Sequence, residues 1–192
     1  MTSKASIEPV VKKITVACTP EAAFRYFTND FSTWWPAATH SVVAYASEFR
    51  DTPAAVIFEP RAGGRIFERA RSGEEHAWGS VLAWEPPLRV SFSFHPGRDE
   101  QQAQMVEVTF VPAPEGTSVV LTHSDWEKLG ENAQASRDRY DQGWVSVFVT
   151  GYRDYAQRGC NPASAATLRD DLRLFRRNHD RAKSGERTID AE

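Results

Sequence analysis

From His40 to His123 the chain is cut by turn-forming residues into short runs of alternating apolar and polar side chains, and no other feature restricts its fold as strongly. Runs near 40–49, 54–59, 64–70, 75–85, 88–95, 104–112 and 117–125 carry the two-residue period of strands. Ala62-Gly63-Gly64, Ser72-Gly73, Pro86-Pro87, Pro96-Gly97-Arg98-Asp99 and Pro112-Ala113-Pro114-Glu115-Gly116 separate them. Spacers this short favour antiparallel hairpins, because parallel neighbours need crossovers of about a dozen residues or more. Val90, Phe92 and Phe94 share one face, as do Val106, Val108 and Phe110, and Val119, Leu121 and His123. These three ladders are expected to point at a common core.

The flanks read as helical. Val10–Ala17 alternates as a first strand. Thr19 then suits a helix N-cap, with Pro20 at the first helical position and Glu21 in the first turn. That helix carries Ala23, Phe24 and Phe27 on one side, and a second short helix holds Phe31, Trp34 and Trp35 before Pro36. After Trp126 the chain enters its longest helical pattern. Tyr140, Trp144, Val147, Phe148, Gly151 and Tyr155 recur three and four residues apart, and Gly159 is expected to end the helix. The order predicts an α+β domain over 8–158: a curved antiparallel sheet of six or seven strands around a long C-terminal helix, with two short helices after the first strand. Residues 159–192 form an extension. In it Leu168, Leu172 and Phe175 share the face of a short amphipathic helix, suited to docking or to forming a homodimer. The polar stretch from Asn178 to Glu192 is expected to be disordered.

Composition excludes several roles. The net charge is −3 and no long basic run occurs, so nucleic acid is not an expected partner. No eighteen apolar residues are consecutive and the N-terminus lacks a signal-peptide pattern, which predicts a cytoplasmic protein that does not cross a membrane. Cys18 and Cys160 match no metal spacing and are expected to be free thiols in a reducing compartment. No nucleophile elbow, zinc motif or dinucleotide fingerprint is present, so no catalytic residue, metal or cofactor is assigned. Gly63-Gly64 lies between strands and reads as a turn, not a phosphate loop.

Thr19-Pro20-Glu21-Ala22-Ala23-Phe24, then Trp34-Trp35, resembles the opening of the START-like, or SRPBCC, superfamily. Glu59-Pro60-Arg61-Ala62-Gly63-Gly64, the segment Trp78 to Pro87 with its Gly-x-Val and Pro-Pro turn, Leu121-Thr122-His123 and Gly143-Trp144 are similar to one branch of it. That branch is the family named after activators of the heat-shock-protein ATPase. The resemblance covers roughly residues 8–158. It implies a helix-grip fold with a hydrophobic cavity between sheet and helix.

Ten residues are candidates to line that cavity: Trp35, Phe67, Trp78, Phe92, Phe94, Val108, Leu121, His123, Tyr140 and Trp144. Six Trp, eleven Phe and five Tyr serve equally as core or as pocket lining. Adjacent helical residues point about 100° apart, so Trp34 and Trp35 are either both core or one core and one gate. Trp78, Leu82 and Trp84 share a strand face with His76 in simple alternation, and either that face or the one with Gly79 and Val81 points inward. His123, at the end of its ladder, is either a rim group for a ligand, with Glu107, Asp125 and Glu127 as candidate companions, or an imidazole bonded to nearby backbone. Tyr140 is either a ligand anchor or packing. The leading expectation is a non-catalytic module that binds a small apolar or aromatic molecule. The alternatives are a cyclase, aromatase or hydrolase using dispersed cavity residues, and a chaperone-interacting protein.

Overall fold

Short turns leave successive strands no choice but to lie side by side, and the sheet is built that way. The computed structural model describes residues 7–46 and 52–161. Strands β1 (Val10–Val16), β2 (Ala55–Phe58), β3 (Arg65–Arg69), β4 (Glu75–Glu85), β5 (Arg89–Phe94), β6 (Gln104–Ala113) and β7 (Gly116–Ser124) form one sheet in the order β1-β7-β6-β5-β4-β3-β2. Every pairing is antiparallel. The three apolar ladders meet in register, with Val90 opposite Val108, Phe92 opposite Val106, and Val108 opposite Leu121. All of these side chains are buried.

Helix α1 (Pro20–Thr28) begins as expected: the Thr19 hydroxyl accepts from the amide of Ala22, and Pro20 opens the helix. Helix α2 (Phe31–Trp34) follows. The expected strand near 40–49 is absent where described, because Val42–Ala46 forms helix α3. Its β-branched residues read locally as a strand. A distant group overrides them: the Glu68 carboxylate accepts the amides of Val42 at 2.8 Å and Val43 at 2.6 Å.

The concave side is filled by one continuous helical rod. Helix α4 (Ala133–Trp144) passes through a π-helical stretch (Val145–Tyr152) into α5 (Arg153–Cys160). Tyr152, four residues after Phe148, is fully buried on the same stripe, although the pattern read from sequence omitted it. The Tyr152 ring stacks on Phe148 at 5.5 Å, and its hydroxyl donates to the carbonyl of Ala23 at 2.8 Å. Gly159 is not a terminator but lies inside the last turn. A Cβ there would come within 2.6 Å of the Tyr26 ring, and its carbonyl accepts the Tyr26 hydroxyl at 3.0 Å.

Cys18 and Cys160 are joined in a disulfide, not free. It ties the end of β1 to the end of α5 across a sequence separation of 142. Disulfides persist in oxidising compartments, so the cytoplasmic expectation loses the support it drew from free thiols. Among the described residues no helix is long and apolar enough to cross a membrane. The expected helix through Leu168, Leu172 and Phe175 and the polar tail lie outside the described residues.

Neither inward phase read for β4 is right by itself. Ile66 pairs with Gly79 but Phe67 with Ala77, and Val81 pairs with Phe92 but Ala83 with Ser91, so β4 carries two irregularities. Trp78, Val81 and Trp84 all join the core, while Leu82 is exposed. Gly79 is required at the first bulge, since a Cβ would lie 1.8 Å from the Ser93 carbonyl oxygen.

Candidate functional site

Where α4 crosses the β4–β5 end of the sheet, the packing opens into a cavity of about 540 Å³. Residues three and four apart on the helical rod share a face. Arg139, Tyr140, Gly143, Trp144 and Val147 accordingly form one wall. Trp78 of β4 and Phe94 of β5 form the floor. Trp35, His40, Ser41 and helix α3, through Val42 and Tyr45, form the opposite wall. The Pro96-Gly97-Arg98 turn closes the end.

The aromatic walls are fixed by hydrogen bonds made within the protein. The Trp35 indole N–H donates to the carbonyl of His40 at 2.6 Å, and that of Trp78 to the Glu68 carboxylate at 3.1 Å. The Trp144 indole donates to Nδ1 of His123 at 3.0 Å. With each indole N–H consumed, these rings offer a ligand mainly carbon. Trp35, Trp78, Phe94 and Trp144 also pack on one another, with ring centroids 5.1–6.2 Å apart. Trp34, by contrast, is a core residue whose indole donates to the carbonyl of Phe27 at 3.1 Å. The two neighbouring tryptophans thus divide into one core and one cavity residue.

Five of the ten candidates line the cavity: Trp35, Trp78, Phe94, Tyr140 and Trp144. The other five do not. Phe92, Val108 and Leu121 are inward but lie in the solid core. Phe67 lies on the opposite face of the sheet, under the guanidinium of Arg65 at 4.2 Å from its ring centroid. It alternates with Ile66 and Glu68, which point inward.

His123 is not a rim residue. It is fully buried behind Trp144, Trp126 and Tyr140, and its ring bonds to the Trp144 indole and not to backbone. Because Nδ1 accepts from Trp144, the neutral ring carries its proton on Nε2, which has no partner among the described residues. Burial, with a smaller contribution from the charge of Arg98, holds its pKa down to about 3. The acidic residues considered with it are elsewhere. Glu107 binds Arg89, Asp125 binds Lys128, and Glu127 accepts the amide of Ile7. His123 therefore positions Trp144.

Sequence reasoning missed the mouth of the site. His40 is half-buried there, burial lowers its pKa, and its Nδ1 lies 2.9 Å from the hydroxyl of Thr39. Tyr140 accepts a hydrogen bond from Nη1 of Arg98 at 3.3 Å. Arg139 neighbours Tyr140 in sequence, and Arg98 sits in a turn already recognised as one, so helical spacing could have found the first only. Among the described residues no group of three His, Cys, Asp or Glu side chains is placed to hold a metal ion.

Comparison with known proteins agrees with this architecture. Protein MLL2253 from Mesorhizobium loti is 19% identical, with a TM-score of 0.55 over 79% of this chain and 98% of that one. An AHSA1-like protein from Aeromonas hydrophila is 19% identical, with a TM-score of 0.52 over 78% of this chain and 92% of that one. An anthrahydroquino-gamma-pyrone synthase, Txn09, solved as a complex with SUM, is 29% identical, with a TM-score of 0.53 over 78% of this chain and 97% of that one. No curated protein matches. The model of the family described as "Activator of Hsp90 ATPase homolog 1-like protein" matches residues 17–151, which take in strands β2 to β7, the three short helices and most of the helical rod, and the chain belongs to that family.

Proposed function

We propose that this protein binds a small hydrophobic or aromatic molecule in the cavity between α4, α3 and the β4–β5 end of the sheet. The observation that carries this reading is the wall formed by Phe94 and by Trp35, Trp78 and Trp144, the three tryptophans having every indole N–H consumed within the protein. A volume of about 540 Å³ lies within the range of small-molecule sites. Burial of apolar ligand surface supplies affinity at about 25 cal/mol per Å², and Tyr140 and the mouth residues orient the ligand.

The test uses Gly143, where an added Cβ meets nothing within 4 Å. Gly143→Phe introduces a ring on the cavity wall at a position where its Cβ meets no neighbour. The neutral fluorophore N-phenyl-1-naphthylamine is expected to bind the native protein saturably and to lose that binding in Gly143→Phe, with the melting temperature retained. Equal binding by both proteins overturns the reading.

A second reading, a ring-closing enzyme, draws on the 29% identity with a synthase. In that case His40, not His123, is the group placed to move a proton at the cavity. Turnover lost in His40→Ala while fluorophore binding persists would separate catalysis from binding.

A further inference from the structure

We propose that the ligand of this cavity is an aromatic anion, its flat apolar body among the tryptophans and its carboxylate or equivalent anionic group between Arg98 and Arg139. This rests on the binding reading above and adds the ligand's charge.

Among the described residues two arginines line the cavity and no Asp or Glu does, although the whole chain carries a net charge of −3. Elsewhere Arg61, Arg65, Arg69, Arg89, Arg137 and Arg153 each hold a carboxylate within ion-pair distance. Arg98 and Arg139 hold none among the described residues. Among the described residues the Arg98 guanidinium donates only to the Tyr140 hydroxyl, and that of Arg139 only to the hydroxyl of Ser136 at 3.3 Å. Both contacts are to neutral oxygens, leaving most of each guanidinium's five N–H donors without a protein acceptor. Glu68 lies behind the Trp78 wall, outside the lining, and its carboxylate already accepts three N–H donors.

Arg98 is also held in place. Its amide donates to the carbonyl of His95 at 2.9 Å, and Nδ1 of His95 lies 3.0 Å from the carbonyl of Arg98. The amide of His95 in turn donates to the carbonyl of Trp78 at 2.6 Å. The cationic turn is thereby pinned to the floor of the cavity. Its guanidinium carbon lies 5.7 Å from the centroid of the Tyr140 ring. A planar, fork-shaped cation beside an apolar wall suits a carboxylate better than it suits any neutral group.

Matched pairs of probes test this: 2-naphthoate against 2-naphthamide, and anthracene-9-carboxylate against its amide. Dissociation constants are read from quenching of tryptophan fluorescence. The native protein is expected to prefer each carboxylate by about tenfold or more. Arg98→Gln/Arg139→Gln is expected to abolish the preference by weakening carboxylate binding far more than amide binding, and Arg98→Lys/Arg139→Lys to keep part of it. Equal affinities for acid and amide in the native protein overturn the anion inference but leave the apolar cavity standing. A preference that survives the double glutamine variant also overturns it. If neither member of any pair binds, the binding reading falls as well.

Discussion

The indole N–H of Trp144 donates to Nδ1 of His123 across 3.0 Å, deep enough that both side chains are essentially shielded from solvent. One bond thus sets the tautomer of a buried imidazole and the angle of a cavity wall. Replacing His123 with Ala removes the acceptor and leaves a void, so about 2–4 kcal/mol of stability is expected to be lost in urea unfolding. Ligand binding should weaken with it. His123→Gln, which retains an acceptor, is expected to recover part of both.

The same histidine makes stability depend on acid. Its folded pKa of about 3 lies below the roughly 6.5 of an unfolded imidazole, so the unfolded chain binds more protons between those values. The contribution is complete above about pH 6.5 and is lost as pH falls toward 3. At up to about 1.4 kcal/mol per pH unit, the native protein should lose about 2 kcal/mol more than His123→Gln between pH 6.5 and 5. Parallel urea titrations of the two proteins check this. Equal slopes would show that the imidazole titrates normally in the fold.

Glu68 anchors one wall of the cavity from behind. Its buried carboxylate accepts from Val42, Val43 and the Trp78 indole. Glu68→Ala strands three donors, each worth about 1–3 kcal/mol when buried and unpaired. Hydrogen exchange at residues 42–46 is expected to rise well above that of the central strands, together with a lower melting temperature. Exchange confined to the native level would show that α3 is held by other contacts.

The Cys18–Cys160 bond closes a loop of about the full domain length. Cys18→Ser/Cys160→Ser is expected to lower stability by about 2–5 kcal/mol. Thermal melts of the native protein with and without dithiothreitol give the same comparison. Alkylation of both cysteines without prior reduction would contradict the bond.

Gly79→Ala places a methyl group against a backbone oxygen that cannot move without parting β4 from β5. A loss of about 3 kcal/mol is expected, with a shift in tryptophan emission as Trp78 is displaced.

Much of this architecture is local information. The Thr19 cap, the turns and the alternating ladders of β5, β6 and β7 are set by residues near one another in the chain, so the sequence alone determined the antiparallel pairing of successive strands, the start of α1 and the α+β class. Three-dimensional apposition decided the rest. Val42–Ala46 is helical because a carboxylate 26 residues away holds its amides. Trp78 and Trp84 share the interior with Val81 because β4 is bulged against neighbours that periodicity does not include. Phe67 and Phe94 were indistinguishable as aromatic strand residues until the sheet assigned each a face. His123 read as a rim group because its strand ends there, but Trp126 and the α4 rod cover that end. The charge of the cavity mouth was illegible for the same reason: Arg98 and Arg139 lie 41 residues apart, and only the packing of α4 over the β5 turn makes them one site.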